Sequence, residues 1–175
     1  SAARDFASLV NAMDAMQQAS CADIRVGESY EQLHDRAHLR FADVLREVGL
    51  ARGDARALVD AGVTRALFPH GLGHSLGLQT HDVGCKPHAP DPRNPFLRHT
   101  AQVAVGQVFT IEPGCYFIEP LLAPLRAGAH APMLDWALVD QLTPFGGVRI
   151  EDDVLVTAEG HRNFTREAFA ALDAD

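Results

Sequence analysis

Phe68 to Gly84 reads FPHGLGHSLGLQTHDVG and puts three histidines, His70, His74 and His81, into twelve residues. Gly71, Gly73, Gly77 and Gly84 are set among them. Each glycine inside a helix costs about 1 kcal/mol relative to alanine, so this density argues against a helix. His70 and His74 are therefore not a helical i,i+4 pair. No Glu follows His70, as the H-E-x-x-H zinc helix requires. The stretch reads instead as a glycine-bent segment that carries several imidazoles into one cleft. Glycine there allows tight turns and leaves room for a ligand beside the backbone.

Upstream, the chain reads as helices. Phe6, Leu9, Val10, Met13 and Met16 recur at spacings of three and four, which predicts an amphipathic helix over 5–22. Ser29 and Gln32 form a capping box for a second helix, whose apolar face runs from Tyr30 to Val48 and which Gly49 ends. His34 and His38 lie on it and read as surface or core histidines rather than metal ligands. Asp54 caps a short third helix through Ala61. Downstream, residues 86–98 hold Pro87, Pro90, Pro92 and Pro95 and read as a loop whose Phe96 and Leu97 call for burial. Residues 107–118 and 148–157 are rich in β-branched and aromatic residues and predict two strands. Residues 119–144 read as an elaborated loop, and Thr165 as the cap of a final helix. Helices before strands suggest a single α+β domain over 1–175 with antiparallel pairing.

The 175 residues suffice for one domain with a real core. A net charge of −8 and the lack of any Lys/Arg run argue against general nucleic-acid binding. No apolar run approaches the roughly 20 residues of a membrane span, and no secretory pattern opens the chain. Cys21, Cys85 and Cys115 are odd in number and widely spaced. They suggest packing roles and a reducing cytoplasm rather than a disulfide framework.

Two glutamates stand where packing alone would not put them. Glu112 interrupts an apolar strand and is followed by Pro113-Gly114. It reads either as a sheet-edge glutamate or as a ligand. Arg149 and Glu151 share one face of the second strand by period-two geometry. That face is either solvated or part of a site. Taken with the histidine segment, these strands supply one imidazole and two carboxylates. Buried charges need partners or metals. The set suits divalent Mn, Co, Fe or Zn. A bridging carboxylate can hold two ions about 3.5–4 Å apart and make hydroxide available near neutral pH. Three ligands are few for two ions, and the residues alone lead only as far as a candidate metallohydrolase.

FPHGLGHSLGLQTHDVG, TIEPGCYFIEPLLAPLRAG and PFGGVRIEDDVLVT, in this order, resemble the pita-bread metallopeptidases, which include methionine aminopeptidase, aminopeptidase P and prolidase. The insertion YFIEPLLAPLR and the PFGG before the arginine look most like the bacterial Xaa-Pro dipeptidase (prolidase) branch, close to the organophosphorus acid anhydrolases. The resemblance implies a pita-bread fold, an antiparallel curved sheet covered by helices. It implies His74 as the metal-binding imidazole, Glu112 as ligand and proton shuttle, and Glu151 as the carboxylate bridging two metals. It implies His70 and His81 as residues that position the scissile carbonyl and stabilise its oxyanion, and Arg149 as a residue lining the site. Two manganese ions, Xaa-Pro dipeptide substrates, a homodimer and a cytoplasmic location follow in the same way.

The family has two further aspartate ligands on an earlier D-x-G hairpin, and nothing here matches them. The resemblance thus implies a C-terminal piece, without the family's N-terminal domain, and an incomplete centre inactive by itself. Aminopeptidase P, an organophosphorus-hydrolysing relative and a metal-free binding module are the competing expectations. Hydrolysis of tripeptides would favour the first of these.

Overall fold

The computed structural model describes residues 1–173 and divides into two compact units. Two long helices, α1 (Ala2–Ala22) and α2 (Tyr30–Glu47), contribute to both. Both follow the apolar periodicity. Ser29 and Gln32 form the expected capping box: Ser29 N–H donates to Gln32 Oε1 (3.0 Å) and Gln32 N–H to Ser29 Oγ (3.2 Å).

One unit takes Ser1–Met16, Arg36–Pro69 and Gly114–Arg149. Its core holds Leu9, Met13, Phe41, Leu45, Leu67 and Phe68, all fully buried. Phe68 meets Phe41 edge-on at 5.8 Å between centroids, and His38 tilts against it at 4.9 Å, a core histidine. Helix α3 (Ala55–Asp60) starts where Asp54 accepts the Ala57 N–H at 3.0 Å. Gly62, at φ +76°, turns the chain into α4 (Val63–Leu67), which the sequence reading does not contain. The two short strands β2 (Gly114–Tyr116) and β3 (Gly147–Arg149) pair antiparallel, Cys115 opposite Val148.

The stretch expected as an elaborated loop holds α5 (Glu119–Ala127) and α6 (Trp136–Leu142). Pro120 sits in the first turn of α5, where a missing N–H costs nothing. Pro124 lies inside α5, and the two together masked the helix. Asp135 caps α6 by accepting the Leu138 N–H at 3.1 Å. Arg126 lies over the Trp136 ring at 4.3 Å and pairs with Asp140.

The other unit takes Gln17–Asp35, His70–Pro113 and Ile150 onward. Its sheet joins β1 (Val108–Ile111), β4 (Asp152–Thr157) and β5 (Gly160–Asn163) in the order β1-β4-β5, all antiparallel. The single strands expected over 107–118 and 148–157 are each broken, at Glu112–Pro113 and at Ile150–Glu151. Strand β5 was not foreseen. Helix α7 (Phe164–Leu172) is capped by Asn163, which accepts the Arg166 N–H at 3.0 Å, and not by Thr165. The Thr165 hydroxyl accepts the Asp153 N–H instead (2.9 Å) and ties α7 to β4. Buried Asp152 accepts from Arg166 Nε and Asn163 Nδ2, each at 2.7 Å. That answers its charge where solvent cannot.

The proline-rich segment has no helix or strand and is moored at its middle and where its flanks meet. Asp91 N–H donates to Glu31 Oε1 (2.9 Å), and Thr100 and Ala101 N–H both donate to the Cys85 carbonyl. Leu97 is buried as expected, but Phe96 is exposed. Cys21 and Cys115 are buried, burial pushes both thiols up to about 12, and all three cysteines are free.

His99 lies fully buried, stacked on Tyr30 at 4.3 Å and edge-on to Phe109 at 5.5 Å. Burial pushes its ring from 6.5 down to about 4, the Gln107 side chain opposing this only in part. The folded ring stays neutral where the unfolded one takes a proton. Stability is therefore complete above pH 6.5 and falls between 6.5 and 4. The full effect is about 3 kcal/mol at roughly 1.4 kcal/mol per pH unit. A His99→Phe variant, which keeps the stacking, is expected to lose less melting temperature than wild type from pH 7 to pH 5. Equal losses would remove His99 from the account.

Candidate metal centre

Three stretches of the second unit meet at one end of β1. Along one edge, β4 pairs with it, Phe109 opposite Val154 and Ile111 opposite Asp152. Along the other edge runs the glycine-rich segment. Leu76 N–H donates to the Val108 carbonyl (3.0 Å), Thr110 N–H to His74 (3.0 Å) and Glu112 N–H to Leu72 (2.8 Å). The segment is irregular, not helical, as its glycines predict.

None of its four glycines has a positive φ. Their service is closeness rather than turning. A Cβ on Gly73 would stand 1.9 Å from the Thr110 carbonyl oxygen and 2.5 Å from the Tyr30 hydroxyl. One on Gly71 would stand 2.9 Å from Leu97 Cα. The room expected for a ligand is thus filled by neighbouring protein.

The two breaks explain the carboxylates. Pro113 has no N–H, so the β1–β4 ladder cannot continue past it. Its carbonyl still accepts the Ile150 N–H at 3.3 Å. One step beyond the Ile111–Asp152 pair, the same register sets Glu112 opposite Glu151. Directly opposed residues of an antiparallel pair share a face.

His74, Glu112 and Glu151 each offer one donor atom, and these atoms all lie within 4.8 Å of one another. His74 Nε2 is 3.4 Å from Glu112 Oε1 and 3.9 Å from Glu151 Oε1. His74 and Glu112 are buried, while the Glu151 side chain is 44% exposed. His74 Nδ1 is 3.2 Å from the Ser75 carbonyl, which can only accept, so this nitrogen carries the proton. That leaves the Nε2 lone pair facing two carboxylate oxygens. With a neutral ring, these three atoms converge as acceptors around a point that fits a cation, and one imidazole with two carboxylates suits a divalent first-row ion.

The other expected residues are placed less uniformly. The Ser75–Asp82 bridge folds the segment back and sets the His81 ring edge-on to His74 at 4.3 Å. The His74 ring, then desolvation by neighbouring atoms, then Arg98 hold His81 below its usual value, against the opposing pull of Glu151. His70 is half-buried, stands outside the three-residue donor group and donates Nδ1–H to the Gly71 carbonyl at 2.8 Å. Arg149 ends β3, two residues before Glu151, which lies outside both strands, so the shared strand face expected for this pair does not exist. Arg149 Nε instead donates to the Tyr116 hydroxyl at 2.5 Å.

Three residues here were missed from sequence. Thr110 and Tyr116 flank Glu112 in TIEPGCY and read as ordinary strand residues. Arg98 read as the end of a loop, yet it is exposed and its charge reaches His81. Only the period-two placement of Thr110 beside Glu112 could have signalled one of them.

Residues 2–158 match metallopeptidase family M24. Among curated relatives, Xaa-Pro dipeptidase 2 of Idiomarina loihiensis is 44% identical over 177 residues, covering 97% of this chain and 40% of the relative. The Xaa-Pro dipeptidase of Marinobacter nauticus is 49% identical over 164 residues, covering 93% of this chain and 38% of its own. The chain thus spans about two fifths of the length of these relatives. Among solved structures, proline aminopeptidase P II from Yersinia pestis superposes with a TM-score of 0.64 at 26% identity, over 91% of this chain and 31% of that one. Zinc-substituted Escherichia coli aminopeptidase P in complex with product gives 0.61 at 26% identity, over 89% and 30%.

Proposed function

The chain belongs to metallopeptidase family M24 and has its pita-bread fold, and from that premise we propose that it carries the larger part of the catalytic centre of a Xaa-Pro dipeptidase. The observation that supports this most is the convergence of His74, Glu112 and Glu151 at the break in the β1–β4 ladder. A second ion needs more donors than these three residues offer, and the reading assigns the rest to segments outside residues 1–175. Oxygen-rich donors favour manganese. Bound there, divalent ions supply Lewis-acid polarisation of the carbonyl and a nucleophilic water near neutral pH.

The chain's own residues do the rest. Glu112 Oε1 faces His74 and is held by the Thr110 hydroxyl at 3.1 Å. Its second oxygen takes the proton of the attacking water and returns it to the leaving prolyl nitrogen. His81, kept neutral by its neighbours, donates N–H to the oxyanion. His70 acts beside it on the carbonyl side. Its Nδ1–H is engaged by Gly71, so contact with an oxyanion requires a proton on Nε2. Arg149, to which the resemblance gives a site-lining role, donates to the Tyr116 hydroxyl within its own unit. Arg98 has no ion-pair partner among the described residues and can receive the free carboxylate of a C-terminal proline. Anchoring that carboxylate one residue from the scissile bond selects dipeptides over the longer peptides an aminopeptidase P takes. A homodimer and a cytoplasmic location belong to the same reading, the latter supported by three free cysteines. No helix is long and apolar enough to cross a membrane among the described residues.

The test is hydrolysis of Gly-Pro and Gly-Pro-Ala by the full-length gene product with added manganese. Cleavage of the dipeptide alone is expected. Arg98→Ala should raise KM for Gly-Pro about tenfold or more with kcat little changed, as loss of uniform binding does. Preferential cleavage of the tripeptide would transfer the assignment to aminopeptidase P, and no cleavage of either would sink it.

A further inference from the structure

Thr110 lies between two of the three donor residues. His74 N–H donates to its Oγ1 at 3.0 Å, and Oγ1 lies 3.1 Å from Glu112 Oε1. The direction of the second bond follows by elimination. A backbone N–H can only donate and a carboxylate only accepts, so the hydroxyl takes the first bond and gives its proton to Glu112. Thr110 is almost fully buried, so water does not compete for that proton. Its side chain shares the face of β1 with Glu112, two residues on.

Its backbone is held equally closely. The Thr110 N–H donates to the His74 carbonyl, and the Thr110 carbonyl accepts the Tyr30 hydroxyl at 2.9 Å. Tyr30 is itself wedged between His99 and Phe109. The hydroxyl is thus attached to a backbone that cannot drift, and it grips the oxygen of Glu112 that faces His74 Nε2. A carboxylate released from this hydroxyl could rotate about its own side chain and lose that aim.

We propose that Thr110 is a positioning residue of the metal centre, its hydroxyl fixing the backbone of His74 and the carboxylate of Glu112 in one mutual geometry. This rests on the metal-centre reading above. Thr110 touches no substrate in this account. It acts through the two donors, so its removal should change how the ion is held and not how the peptide binds.

The experiment compares Thr110→Val, which keeps the shape and loses the hydroxyl, with Thr110→Ser, which keeps the hydroxyl, in the full-length gene product. Cobalt(II) is the probe, read by affinity and by its visible absorption, alongside kinetics on Gly-Pro. Thr110→Val should bind cobalt about 10- to 100-fold more weakly, the range for loss of a ligand-supporting contact. Its absorption bands should shift, and kcat should fall with KM within about twofold. Thr110→Ser should recover affinity and spectrum to within about threefold. Wild-type affinity and spectrum in Thr110→Val would overturn the inference and leave the metal centre standing. Equal impairment of the serine variant would overturn it in favour of methyl packing. Failure of the wild-type protein to bind cobalt would overturn the metal-centre reading and this inference with it.

Discussion

Glu151→Ala in the full-length gene product is expected to abolish tight metal binding and to lower Gly-Pro turnover by more than about 100-fold. That figure is the upper end of what losing a merely supporting contact costs, and Glu151 is a donor itself. The remaining pair, His74 and Glu112, would offer an ion only two of the three donors. The same substitution should hardly touch the metal-free fold. The Glu151 side chain is 44% exposed and lies outside both strands. Exposed substitutions away from packing usually stay within about 0.5 kcal/mol. A metal titration and a melt in chelator check both halves. Retained affinity would remove Glu151 from the donor set.

Gly73→Ala should do the opposite and damage the fold itself. The added methyl would sit 1.9 Å from the Thr110 carbonyl oxygen and 2.7 Å from its carbon. Those atoms belong to β1, held by β4 on one edge and by the glycine-rich segment on the other. Neither partner is a flexible side-chain end that can swing away. Overpacking a well-filled interior costs about 1–3 kcal/mol or more. A backbone clash this short belongs at or beyond the top of that range. At about 2–4 °C per kcal/mol the melting temperature should fall by roughly 10 °C. Gly62→Ala is the control. Gly62 has φ +76° and nothing within 4 Å of a new Cβ, so it should cost only the left-handed penalty of about 1–2 kcal/mol. Similar losses at the two positions would discredit the close-approach account of Gly73.

The candidate donor residues could be picked out because their chemistry is out of keeping with their surroundings. A histidine among glycines and two glutamates in apolar strands are local anomalies, and the structure brings them within 4.8 Å. The α-helical first third was equally legible, since its caps and apolar spacing are local signals. What stayed hidden depends on long-range pairing. Val148 to Thr157 carries an unbroken strand pattern, and only its partner's Pro113 breaks the ladder. The helices over 119–142 were concealed by Pro120 and Pro124, which read as breakers although one of them starts a helix. Thr110 was invisible for a different reason. A threonine in a strand is ordinary, and only the contact with His74 across 36 residues makes it otherwise.

All three candidate donors are tied to β1, His74 and Glu112 by backbone bonds and Glu151 by register, although none of them lies inside a strand. On the proposed reading, the parts of 77–107 and 113–150 away from His81 and Arg149 can therefore vary in length and sequence without moving these three residues. On that reading, substrate choice rests on residues such as Arg98 in one of those connections and can diverge while the proposed donor set is kept.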